Sequence, residues 1–122
     1  GVNWNGASFR TRLKNPDIAY GHPMEGYPLW QDAVVVLKEA KNVENAKIFQ
    51  NFIMLPENAA MMSAFARYAN GIKGSEKYMP EDMLTAPEIV VSAEIAAKGK
   101  FIPACEKSVN VMYTKLWTNL LK

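Results

Sequence analysis

Leu29-Trp30-Gln31-Asp32-Ala33-Val34-Val35-Val36-Leu37-Lys38 is the stretch on which the fold reading turns. Leu29 to Lys38 is expected to be a strand: its Ala33–Leu37 part is short, largely β-branched and apolar at every position, which predicts burial on both faces. In extended backbone, residues two apart project to the same face. Trp30 and Asp32 would then present an aromatic π face and a carboxylate side by side at the leading edge of the strand. Such a carboxylate is solvated, capped by backbone N–H groups or turned into a cleft. The pair could serve one cationic group: a cation–π contact contributes about 0.5–2 kcal/mol and a charge-assisted hydrogen bond about 1.5–3 kcal/mol. The competing reading is plain packing.

Upstream, Asn3-Trp4-Asn5-Gly6 reads as a polar turn. A short helix is expected over Ala7–Lys14, with Phe9 and Leu13 at i,i+4, stopped at Asn15-Pro16 because the residue before proline leaves the helical region. Asp17–His22 alternates, with Ile18 and Tyr20 on one face of a short strand. Pro23–Pro28, with two prolines and Gly26, reads as loop.

Downstream, Asn42–Ala69 predicts helix in two pieces. Asn42 caps the first, with Glu44 in its first turn, and Ile48, Phe49, Phe52 and Ile53 form its apolar stripe. Pro56 suits the first turn of the second. There Met61, Ala64, Phe65 and Tyr68 make the expected buried face, and Asn70-Gly71 the stop. Gly71–Tyr78 reads as surface loop. Pro80 and Pro87 suit helix starts, Glu88–Ala97 reads as a short helix stopped by Gly99, and Ala104–Lys122 as a last amphipathic helix with Val109, Met112, Tyr113, Leu116 and Leu120 on one face.

Composition narrows the function. The 122 residues hold 14 Lys+Arg against 12 Asp+Glu, with 49% hydrophobic residues and a net charge of +2. This is a globular composition of at most one ordinary domain, and the dispersed charge argues against a nucleic-acid footprint. No apolar run nears the roughly 18–20 residues a membrane span requires. The acidic residues are scattered and there is one His and one Cys, so no metal site, cofactor or catalytic set is expected. His22 reads as a surface or loop residue and Cys105 as a small, semi-buried structural thiol. A hydrolase built on the two remains as an alternative, as does a small helical interaction module in which Trp4, Trp30 and Tyr68 are distant from one another or buried. Gly1-Val2-Asn3-Trp4 has neither a leader pattern nor an initiator Met, and the chain reads as a piece cut from a longer protein.

Taken in series, Asn3-Trp4-Asn5-Gly6, Pro23-Met24-Glu25-Gly26, Leu29-Trp30-Gln31-Asp32-Ala33, Leu55-Pro56-Glu57-Asn58-Ala59, Arg67-Tyr68-Ala69-Asn70 and the closing Tyr113…Trp117…Leu120 segment resemble the spermidine/putrescine-binding proteins of bacterial ABC importers, in their carboxy-terminal third. The resemblance implies an α/β fold, a piece of a two-lobe periplasmic binding protein (type II), mostly helical here with a few short strands. Residues 1–30 would belong to the second lobe, 31–74 to the first, and 75–122 to the second again as its terminal helices. It further implies a polyamine bound in the cleft between lobes for uptake, with no enzymatic activity. The implied partners are that ligand and the importer's membrane permease. The implied location is the periplasm, with a signal peptide on the missing amino-terminal part.

Carried over by position, Trp4 would be an aromatic wall from the second lobe, Trp30 the aromatic at the crossover, Asp32 the carboxylate for an ammonium group, and Tyr68 an aromatic lining from the first lobe. Lys100-Phe101-Ile102-Pro103-Ala104-Cys105 lacks the amide that the family often places near the last helix, so another organic cation or an amino acid derivative remains an alternative ligand. As a piece, the chain is expected to expose the Ala33–Leu37 strand edge, to pair with a second copy or a missing segment, and to bind ligand poorly alone.

Overall fold

A computed structural model describes all of residues 1–122. The chain is mostly helical, with one small parallel sheet. Helix α1 spans Asn5–Lys14 and strand β1 Tyr27–Leu29. Helices α2 and α3 span Val43–Ile53 and Pro56–Ala66. A 3₁₀ turn at Ser75–Tyr78 and two short helices, α4 (Glu81–Leu84) and α5 (Ala93–Ala97), lead to β2, Gly99–Phe101. The terminal helix α6 spans Lys107–Leu120.

The helix starts and stops follow local chemistry. Helix α1 ends at Lys14, ahead of Asn15-Pro16 as expected, but begins at Asn5, so the anticipated turn at Asn3–Gly6 is half helix with Trp4 as its N-cap. The break between α2 and α3 falls at Met54-Leu55, with Pro56 in the first turn of α3, where its missing N–H leaves no bond unmade. Asn42 occupies the N-cap of α2, although its side chain makes no capping bond. Helix α3 stops before the expected Asn70-Gly71: Arg67 takes the left-handed conformation, φ 62°, and its N–H donates to Ser63 O at 2.7 Å. Helix α5 is shorter than the expected Glu88–Ala97, starting only at Ala93, where the Ser92 hydroxyl accepts from the Ile95 N–H.

The sheet is not where the sequence placed it. Ala33–Leu37 forms no strand; Val35 is 69% exposed, and the hydrogen bond from the Gln50 side-chain amide to the Val34 carbonyl is its one side-chain tie. A β-branched run adopts ladder geometry only when neighbouring strands accept its bonds, and none is present here. Asp17–His22 is also irregular. The strands that do form are Tyr27–Leu29, which takes the last two residues of the expected loop and the first of the expected strand, and Gly99–Phe101, paired in parallel with Tyr27 opposite Gly99 and Leu29 opposite Phe101. Gly26 makes the pairing reachable. It has φ 120°, and a β-carbon there would stand 2.7 Å from the Lys98 carbonyl oxygen, so only glycine lets the two backbones approach.

Burial is sparse: nine of 122 residues are buried, so most of the apolar half of the composition lies uncovered. Phe9, Met83 and Ala86 form the core, with Met79 and Ile89 against them. The buried face of α3 is its small-residue side, Ala59, Ala60 and Ser63. The expected stripe is outside: Phe65 is 89% exposed, as are Met61 and, on α2, Ile48, Phe49 and Phe52 in lesser degree. The apolar face of α6 is likewise uncovered from Met112 to Leu120. Amphipathic periodicity locates a face that wants cover; it does not supply the cover.

Candidate functional site

Three of the four residues singled out from sequence converge. Trp4 and Trp30 meet edge-on with ring centroids 4.5 Å apart, and Trp30 meets Tyr68 edge-on at 5.9 Å. Each ring comes from a different element: Trp4 caps α1, Trp30 follows β1, and Tyr68 lies two residues past the end of α3. Edge-to-face contacts of this kind contribute about 0.5–1.5 kcal/mol each beyond their buried area. The rings are also reachable, since Trp4 is 57% and Trp30 42% exposed, with Tyr68 half-buried. A packed helical module would have kept these aromatics apart or covered. Here they form a partly open row.

Asp32 stands two residues beyond Trp30, exposed, and forms no ion pair with any of the chain's cations. The segment joining it to Trp30 is irregular rather than a strand. Unlike Glu88, this carboxylate has no internal neutralising partner.

Two residues that the sequence reading passed over fix the row. Gly6 lies in the second position of α1, where a β-carbon would come within 2.6 Å of the Tyr68 ring. Arg10, one turn later, places its guanidinium carbon 5.8 Å from the Tyr68 centroid and donates from Nη1 to the Ala66 carbonyl at the end of α3. The i,i+4 spacing of Gly6 and Arg10 was a usable signal for one shared helix face. What it faced was not readable.

Behind the row, an ion pair ties α1 to the carboxy-terminal half. Arg12 donates from Nε to Glu88 Oε1 at 2.7 Å and from Nη2 to Oε2 at 2.9 Å. Asn5 Nδ2 adds a bond to the Glu88 carbonyl at 2.9 Å. Burial, the largest single influence, pushes the Glu88 carboxyl up, but the Arg12 hydrogen bonds, a backbone hydrogen bond and the Arg12 charge together hold the group below its ordinary value. The bond to Glu88 also raises Arg12, against a smaller opposing effect of burial. Tyr20 is raised, first by its own burial and then by the charge of Glu88. At the far side of α3, Asn70 bonds Ser63 Oγ through Nδ2 at 2.8 Å and accepts from Ser75 Oγ and the Ile72 N–H at 2.9 Å each. That network sets where the chain leaves α3 and hence where Tyr68 sits.

The remaining titratable candidates stand elsewhere. His22 packs against Tyr20 and Tyr27, with centroids 5.1 and 4.8 Å away, and Nε2 lies 3.4 Å from the Pro87 carbonyl. Cys105 is exposed between β2 and α6, and the two share no hydrogen bond. No group of three or more His, Cys, Asp or Glu side chains is placed to hold a metal ion, and no helix is long and apolar enough to cross a membrane.

Curated relatives bear on the row of rings. The putrescine-binding periplasmic protein SpuD of Pseudomonas aeruginosa is 29% identical over 103 residues, 84% of this chain and 28% of that protein. The chain is similar to the polyamine-binding periplasmic proteins of bacteria. The putrescine/agmatine-binding protein of Pseudomonas aeruginosa is 23% identical over 98% of the chain and 34% of its own length. For the putrescine-binding periplasmic protein PotF of Escherichia coli the identity is 24%, over 96% of the chain and 32% of that protein. The chain thus spans about a third of the length of the relatives it matches. All of them are named as binding proteins. No protein-family model matches the chain, and no solved structure does.

Proposed function

We propose that this chain supplies part of the ligand cleft of a periplasmic binding protein of two lobes, in which Trp4, Trp30 and Tyr68 form an aromatic wall and Asp32 neutralises an ammonium group. The observation that carries this is the meeting of three rings from three separate elements, partly open, with an unpaired carboxylate two residues from the middle one. A polyamine is a string of cations joined by apolar methylenes. Flat walls suit the methylenes and a carboxylate suits the charge. The names of the relatives agree with that chemistry.

The lobe assignment has support in how the segments pair. Residues 1–30 join 75–122 through the β1–β2 ladder and the Arg12–Glu88 and Asn5–Glu88 bonds. Residues 31–74 meet the first segment at the Tyr68–Trp30, Tyr68–Gly6 and Arg10–Ala66 contacts and the third through the Asn70–Ser75 and Arg67–Asp82 bonds, a seam along which a cleft between lobes would run. The uncovered faces of α2, α3 and α6 are what the rest of such a protein would cover, and the chain alone is expected to self-associate through them. Uptake through an importer permease, and a periplasmic location, follow from the same reading.

Calorimetric titration of the intact protein containing this chain with putrescine, spermidine, basic amino acids and opine-like compounds tests the proposal. Saturable binding of an organic cation, with quenching or enhancement of tryptophan fluorescence, is expected. If no organic cation binds, the reading fails.

A further inference from the structure

The third ring of the row is held differently from the other two. Trp4 and Trp30 have no cation near their faces, whereas the Tyr68 ring already has one: the Arg10 guanidinium carbon lies 5.8 Å from its centroid. Arg10 is exposed but tied down. Its Nη1 donates to the Ala66 carbonyl, at the end of α3 where unpaired carbonyls and the negative end of the helix dipole favour a positive charge. A planar guanidinium can bond through one edge while the rest of the group lies by a ring, which an ammonium cannot do. The opposite sign, the unpaired Asp32 carboxylate, follows Trp30 by two residues.

We propose that Arg10 is a specificity-determining residue of this site: it fills the cation position at Tyr68, directs the ligand's ammonium to Trp30 and Asp32, and disfavours a second ammonium at the Tyr68 end. The inference rests on the reading of the site as one for organic cations. It narrows the ligand class to a cation charged at one end whose remainder, toward Tyr68, is uncharged or anionic. The physical reason is that a ring already facing one cation offers little to a second, while two like charges brought close together repel. Tyr68 then serves the ligand through its ring edge and hydroxyl.

The test compares putrescine, with two ammonium groups, and N-acetylputrescine, with one, by calorimetry on the intact protein. The variants are Arg10→Gln and Arg10→Met, which remove the charge, and Arg10→Lys, which keeps it; melting temperatures confirm that each is folded. Both neutral variants are expected to improve putrescine relative to N-acetylputrescine by about three- to tenfold, more at low salt than at high, with a smaller gain for Arg10→Lys, which keeps the charge but cannot hold it against the ring and the Ala66 carbonyl together. Equal changes for both ligands would mean that Arg10 only supports the ring, and unchanged affinities that it lies away from the ligand; either result overturns the proposal. A wild-type protein that binds neither compound, nor any other organic cation, removes the parent reading itself, a failure visible before any variant is made.

Discussion

Gly6 of α1 lies flat against the ring of Tyr68, so closely that a β-carbon at residue 6 would stand 2.6 Å from two ring carbons. Real β-carbons do not approach that near, so Gly6→Ala must move the ring. Alanine gains up to about 1 kcal/mol in helix propensity over glycine, whereas overpacking costs about 1–3 kcal/mol. The expected net result is a destabilisation of about 1 kcal/mol, together with loss of the Trp30–Tyr68 contact. Melting temperature and the near-ultraviolet dichroism of the tryptophans check it; an unchanged aromatic spectrum would count against the packing described.

Arg12→Ala tests the junction behind the row. The Glu88 side chain is fully buried and Arg12 remains 29% exposed. Removing one partner leaves a buried carboxylate uncompensated, a loss of about 3 kcal/mol, the lower end of the range because the pair is partly solvated. Chemical denaturation of the two proteins measures it. The double replacement Arg12→Met with Glu88→Leu should recover most of the loss, because it removes the charge that would otherwise be stranded.

The same pair sets an acid dependence. Glu88 is held below its ordinary value of 4.5 in the folded chain, so the unfolded chain takes up its proton first as pH falls. The contribution is fully present above that ordinary value and declines as pH drops through the lowered one. In Arg12→Ala the sign reverses, since burial, the largest single influence, is then opposed only by a backbone hydrogen bond. The penalty of that variant should therefore be largest near neutrality and shrink on acidification. Thermal melts of both proteins across the acid range show whether the gap narrows.

How much of this was legible in the sequence depends on the range of the forces involved. Helix starts and stops were readable at Lys14, Val43 and Pro56, because proline geometry and the residue preference of the N-cap position act within a few residues, even though the Asn42 side chain makes no capping bond. The strand at Ala33–Leu37 was not, because its pattern reports a demand for neighbours that the chain does not meet. Strand β2 was missed for the converse reason: Gly99 and Lys100 have little strand preference, and the ladder with Tyr27–Leu29 is a contact 72 residues away in register. Among the site residues, Trp4, Trp30 and Tyr68 were found by resemblance and meet in space. Gly6 and Arg10 were passed over, since a glycine at a turn and a base on a helix carry no mark of the ring they touch. The buried pairing of Arg12 with Glu88 is equally a property of the fold.

Asp32→Asn bears on the proposed ligand chemistry most directly. Asparagine keeps the shape and an acceptor oxygen but removes the charge, so the aromatic wall is left in place. A hydrogen bond from an ammonium group to a carboxylate contributes about 1.5–3 kcal/mol, and its loss should weaken an organic cation about tenfold or more. The folded stability should not change, because Asp32 is exposed and makes no ion pair within the chain. Trp30→Leu should also weaken the ligand but disturb the fold, since it breaks the contacts with both Trp4 and Tyr68. The two variants thus separate charge from wall. Titration of each into the same cation, with melting temperatures alongside, decides the matter: an Asp32→Asn protein with undiminished affinity would take the carboxylate out of the site and leave the rings as packing.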